Sequence, residues 1–252
     1  MFQRRQILVL SILLVVYAFI AYASYAFFFS QLTAVAGAPV DTKGIPPVTL
    51  GLANAGIILV FYGLLALAGY WFARKLNLPG IFSEEGNWRR WVFIPMLIGA
   101  LGGVALVVLD VVFAPINGFG HFPHPPFPFS ILASLAAGIG EEILFRGFVF
   151  GLWAIILNWL LKRVGGRKAA LWIANILAAI AFSAGHLGSF MVLTGASSPA
   201  ALNPVLLAEG LLLNGAIGLL AGERYIKDGL VAAAGVHFWA DFIWHVCWGL
   251  FF

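Results

Sequence analysis

The sequence predicts an all-α protein, a polytopic transmembrane helical bundle of about seven spans. Three observations carry that reading. Hydrophobic residues make up 62% of the 252 residues and charged residues only 10%. A soluble domain of that length needs a polar skin, which this composition does not supply. Apolar runs of about 20 residues or more, the length a bilayer core demands, recur along the whole chain. The basic residues collect in alternate connections between those runs. A soluble globular enzyme and a disordered chain are both excluded. Continuous apolar runs also exclude an outer-membrane barrel, whose strands alternate lipid-facing and lumen-facing residues.

Taken in order, the spans are expected near 7–29, 48–73, 91–114, 129–161, 169–190, 204–222 and 229–251. Arg4 and Arg5 precede the first. Arg74, Lys75, Arg89 and Arg90 separate the second from the third, together with Glu84 and Glu85. Lys162, Arg163, Arg167 and Lys168 separate the fourth from the fifth, and Arg224 and Lys227 the sixth from the seventh. The remaining connections hold Asp41 and Lys43 in the first case and no charge at 115–128 or 191–203. The positive-inside rule then places the N-terminus in the cytoplasm and the C-terminus outside. An integral, multi-pass protein of a prokaryotic plasma membrane is expected. The first segment also admits a signal-peptide reading, with Ala21-Tyr22-Ala23 as the cleavage site. Its apolar run continues to Phe29, so an uncleaved helix is the preferred expectation.

The net charge of +4 does not point to nucleic acid, because the basic residues are used by the topology and form no arm. A single cysteine, Cys247, excludes an intramolecular disulfide and is expected as a buried small hydrophobe. Five prolines within 115–128 forbid a helix there and predict a stiff outer loop. Its His121 and His124 lack a third partner for a metal. Gly99-x-x-x-Gly103, Gly147-x-x-x-Gly151 and Gly218-x-x-x-Gly222 read as close helix packing.

Ionisable side chains within spans cost about 2.5–3.5 kcal/mol each on insertion scales and therefore point to function. The fourth span carries Glu141-Glu142-Ile143-Leu144-Phe145-Arg146. On a helical projection Glu142 and Arg146 lie within about 40° and can pair, whereas Glu141 points about 100° away from Glu142. The pair reads as a structural clamp and Glu141 as an available acid or base. The fifth span ends in Phe182-Ser183-Ala184-Gly185-His186. The seventh holds His237-Phe238-Trp239-Ala240-Asp241, and His245 continues the same stripe. Counted along their helices, Glu141 and His186 reach similar heights to within about 3 Å. His237, only about 12 Å from the start of its helix, does not. Either that helix starts deeper, the spans tilt, or the boundary at 229 is misplaced.

These three pieces, in this order on successive membrane helices, resemble the intramembrane CAAX protease and bacteriocin-processing family. Its pattern runs E-E-x-x-x-R, F-x-x-x-H, then H-x-x-x-N or H-x-x-x-D, and the resemblance covers about 129–250. It implies an N-terminal part, 1–128, with spans one to three, and a catalytic core, 129–252, with spans four to seven. The implied activity is an intramembrane endopeptidase acting on a membrane-associated peptide or protein, including prenylated CAAX-type tails. By the resemblance, Glu141 activates water with His186 assisting, and His237 and Asp241 stabilise the oxyanion. Glu142, Arg146 and Phe182 would support the site. Asp241 stands where the prenyl endopeptidases resemble Asn. An ionised Asp would repel an oxyanion, so Asp241 is either protonated or orients His237 through a ring N–H, and orientation is preferred.

No cofactor is expected. A zinc peptidase using Glu141, His186 and His237 is the first alternative, although no H-E-x-x-H is present. A proton-coupled transporter is the second, without the inverted repeat that such proteins show. A silent membrane scaffold is the third, and it has no need of these polar groups.

Overall fold

The computed structural model describes residues 3–35 and 42–251. Asp41, placed by the sequence in the first outer connection, lies outside the described residues. Among these residues seven helical segments are long and apolar enough to cross a membrane. They are Arg4–Ala26, Pro47–Lys75, Arg89–Phe113, Phe129–Val164, Arg167–Thr194, Pro204–Asp228 and Leu230–Leu250, called spans one to seven below. No strand occurs among the described residues. The protein is a multi-pass integral membrane protein of all-α class.

Local chemistry sets several of the boundaries. Pro47 and Pro204 open spans two and six at the position where a missing N–H costs nothing. The Asn203 side chain caps span six by accepting a hydrogen bond from the Val205 N–H at 2.8 Å. Span five continues through Gly185-His186-Leu187-Gly188 but breaks there, leaving a helix Arg167–Gly185 and a shorter one, Leu187–Thr194. Two glycines around His186 weaken the helix at that point. Spans two, three, four and seven each contain a stretch of π-helix, the longest being Ile143–Phe150 of span four. Such stretches are uncommon and concentrate at functional sites.

Span seven is the central element, packed against spans three, four and six, while spans one and two lean on span four. One apolar core joins Leu10, Tyr70, Phe150, Leu171, Tyr225 and Val236 from six of the spans. The glycines of the third span lie at a helix crossing, since a Cβ at Gly99 or Gly103 would meet the carbonyl oxygens of Val236 and Ala240. Cys247 is half-buried rather than buried.

The connection between spans two and three folds back into the bundle. Leu76, Leu78 and Ile81 are buried. The buried Gln6 side chain accepts from the Ile81 N–H at 2.8 Å and donates to the Phe82 carbonyl at 2.8 Å. Backbone bonds then tie this segment to the start of span seven, from the Leu230 N–H to Gly80 and from the Val231 N–H to Ile81, both 2.9 Å. Gly229, with φ +94°, makes the single-residue link between spans six and seven possible. The start of span seven is therefore held against the infolded segment.

Candidate active site

The site is built around two buried layers. In the inner layer, Arg146 and Glu142 are both fully buried, with Arg146 Nη1 3.2 Å from Glu142 Oε1. Burying either charge alone would be strongly unfavourable, so each requires the other. Gly218 provides the space: a Cβ there would stand 2.9 Å from Arg146 Nη2. The glycine motif of span six thus clears room for a guanidinium. The Arg146 guanidinium also lies over the Phe182 ring, 4.8 Å from its centroid. Phe182 in turn meets His186 and His237 edge-on, at centroid distances of 4.9 and 5.3 Å.

His237 is fixed from span four. Its Nδ1 lies 2.9 Å from Glu142 Oε1. A carboxylate there accepts, so Nδ1–H donates. Asp241, one turn along the same helix, reaches the other edge of the ring, with Oδ2 3.6 Å from Nε2. That is beyond hydrogen-bond distance. The sequence-based expectation that Asp241 orients His237 is therefore corrected. The i,i+4 relation brings Asp241 beside the ring, but the carboxylate aligned with Nδ1–H crosses from the neighbouring helix.

The outer layer faces a cavity of about 220 Å³. Glu141, Phe182, His186, His237, Asp241 and His245 all line it. Glu141 is separated from its neighbour as the helical projection requires. Its Oε2 makes no hydrogen bond and lies 4.0 Å from His237 Nε2. His186, at the break in span five, is 2.9 Å from the Phe182 carbonyl through Nδ1. A carbonyl only accepts, so Nδ1 carries the proton and Nε2 is left as the second ring position. Asn214 and Trp244 complete the polar and aromatic lining. The cavity thus gathers Glu141, His186, His237 and Asp241, and places Glu142, Arg146 and Phe182 around it.

Residues 122–243 match the family model described as type II CAAX prenyl endopeptidase Rce1-like. This segment, just under half of the chain, is similar to the CAAX intramembrane protease family. The match includes all three motifs and leaves out spans one, two and three. No curated protein and no solved structure matches the chain. The family that this segment resembles is one of CAAX-type membrane proteases.

Some residues near the site carry no sequence signal. Tyr17 of span one packs into the notch left by Gly140, where a Cβ would stand 2.5 Å from its hydroxyl. The family match does not reach Tyr17, yet it abuts the backbone that presents Glu141. Above the cavity, the segment after span three is tied down by buried polar pairs. His121 Nδ1 lies 2.5 Å from Asp110 Oδ2. Asn117 donates to Glu209 at 2.8 Å. His124 and His245 face each other through Nδ1 at 3.1 Å. The two loop histidines therefore have separate partners. Among the described residues no group of three His, Cys, Asp or Glu is arranged to hold a metal ion.

Proposed function

We propose that the protein is an intramembrane endopeptidase in which Glu141 activates water for attack on a peptide carbonyl. One observation carries the proposal. Of the two adjacent glutamates, Glu142 is fully buried and committed through Oε1 to Arg146 and His237, while Glu141 is about a third exposed and lines the cavity. A general base needs that access.

The chemistry follows from the donors present. Glu141 removes a proton from water as the oxygen bonds to the carbonyl carbon. His186, with its proton held on Nδ1 by the Phe182 carbonyl, offers Nε2 to accept from the same water and orient it. The resulting oxyanion needs a donor, and His237 Nε2 faces the cavity. Donation from Nε2 requires the doubly protonated ring, because Nδ1–H already serves Glu142. Asp241, 3.6 Å from Nε2, would supply the charge that balances such an imidazolium once Glu141 holds the proton from water. The C–N bond then breaks as Glu141 returns its proton to the departing amine. The cavity holds one or two side chains, so the rest of a membrane-associated substrate would lie outside it. Prenylated CAAX-type tails fall within this class.

The test is cleavage by membranes carrying either the wild-type chain or Glu141→Gln. A panel of prenylated and unmodified peptides is incubated with each, and products are read by mass spectrometry. Cleavage by the wild type alone supports the reading. Equal cleavage by both would remove Glu141 from the mechanism.

A further inference from the structure

We propose that His245 is a substrate-binding donor: its Nε2–H, fixed by a hydrogen bond from His124 to the other ring nitrogen, holds an oxygen of the substrate chain at a distance from the scissile bond. This deepens the peptidase reading and rests on it for the word substrate. The placement of the proton stands on geometry alone.

Neither histidine belongs to the three motifs that build the rest of the site. His245 follows His237 and Asp241 at four-residue steps along span seven, and its ring lines the cavity. His124 comes from the proline-rich connection after span three and meets His245 with the two Nδ1 atoms 3.1 Å apart. Span seven is shaped to receive it. Trp244 meets the His124 ring edge-on, at a centroid distance of 4.9 Å. A Cβ at Gly249 would stand 2.8 Å from the His124 Cβ, so the glycine leaves the room that His124 fills.

The proton positions follow from this contact. Two N–H groups cannot face each other at that distance and two bare nitrogens form no bond, so one Nδ1 donates and the other accepts. Burial holds the His124 imidazole down to about 4, so at neutral pH it carries a single ring proton. Its Nε2 is buried and has no hydrogen-bond partner. A proton there would make a buried N–H with nothing to receive it, and such groups are rarer in folded proteins than unused acceptors. The His124 proton therefore sits on Nδ1, and His245 Nδ1 accepts it. With Nδ1 accepting, His245 carries its own proton on Nε2, the ring position left for the cavity.

The spacing says what this donor meets. His245 lies eight residues beyond His237 on one helix, roughly 12 Å along its axis. An extended peptide covers that distance in about three or four residues. A substrate whose scissile carbonyl lies at His237 therefore brings to His245 an oxygen several residues away, a backbone carbonyl or the carboxylate of a chain end. Either accepts from Nε2–H.

The first test needs no cleavage. Protein carrying nitrogen-15 and carbon-13 histidine is placed in lipid bilayers at neutral pH, and solid-state NMR correlations read which ring nitrogen of each histidine holds a proton. His245→Gln identifies the His245 signals by their loss. The proposal expects His124 protonated on Nδ1 alone and His245 on Nε2 alone, with His124→Phe releasing His245 into a mixture of tautomers. A wild-type His245 protonated on Nδ1 would overturn it. The second test uses a peptide that the wild type cleaves, with a free and with an amidated C-terminus. His245→Leu should raise KM about 3–10-fold, the worth of one hydrogen bond, and leave kcat within about twofold. His245→Gln, whose amide N–H can reach the same position, should recover most of that loss. A penalty that vanishes with the amidated peptide assigns the acceptor to the carboxylate, and one that persists assigns it to a carbonyl. An unchanged KM in His245→Leu, or a Gln variant no better than Leu, removes the donor role. Because the tautomers are read without substrate, failure of the peptidase reading and failure of this one are told apart.

Discussion

The 2.9 Å contact between Glu142 Oε1 and His237 Nδ1 joins span four to span seven and divides the labour of two adjacent glutamates. It commits the second to structure and leaves the first at the cavity. The two should therefore fail differently. Glu142→Gln leaves the Arg146 charge unpaired in the core and should cost about 3–5 kcal/mol of stability. Glu141→Gln should leave thermal unfolding in detergent close to wild type and lower cleavage by about 10²–10⁴-fold. Parallel melting and activity measurements on both variants check this. Equal melting temperatures would remove the structural role of Glu142.

Phe182 should behave as a positioning residue. Its ring lies under the Arg146 guanidinium and against both His186 and His237. Phe182→Leu keeps most of the volume but removes the ring face, with a loss of about 0.5–2 kcal/mol from the cation–π contact. Activity should fall at every pH tested, and Phe182→Tyr should restore more of it than Phe182→Leu. A rate profile across pH for the three forms gives the answer.

Gly218 should tolerate no side chain. Gly218→Ala drives a Cβ to 2.9 Å from Arg146 Nη2 and 3.1 Å from the Ala179 Cβ. The overpacking should cost about 1–3 kcal/mol. Gly56→Ala in span two meets nothing within 4 Å and should gain about 0.5–1 kcal/mol from helix propensity. Opposite shifts in melting temperature are expected, and two shifts of the same sign would contradict the packing described here.

The segment over the cavity should loosen in acid. Burial pushes the His124 imidazole down to about 4, with Asp110 acting in the opposite direction and His121 reinforcing the shift. The ring also faces His245 and the edge of Trp244. A group held below its ordinary value of about 6.5 stays neutral when packed and takes up a proton when released. Closure is then complete above about pH 6.5 and weakens as pH falls toward 4. Hydrogen exchange of residues 115–128 should rise across that window, and His124→Gln should flatten the response.

Cleavage should survive a strong chelator. The expectation comes from the donors rather than from any vacancy. Among the described residues no group of three His, Cys, Asp or Glu side chains is arranged to hold a metal ion. Loss of activity with a chelator, restored by zinc, would replace the glutamate–water mechanism with a metal-assisted one.

Much of this protein was legible from composition and spacing alone. Hydrophobic length determines where a chain crosses a membrane, so the seven spans follow directly, with ends displaced by a few residues. Helical geometry separates Glu141 from Glu142 and pairs Glu142 with Arg146, because those relations lie within one helix. What crosses between helices was decided only by the tertiary structure. Partner choice at His237 depends on how span four docks against span seven, and an i,i+4 rule favours Asp241 over the more distant Glu142. The anchoring of span seven depends on the infolded 76–83 segment, and the room for Arg146 depends on a glycine 72 positions away in sequence. Such contacts arise from packing and burial, and no local periodicity records them.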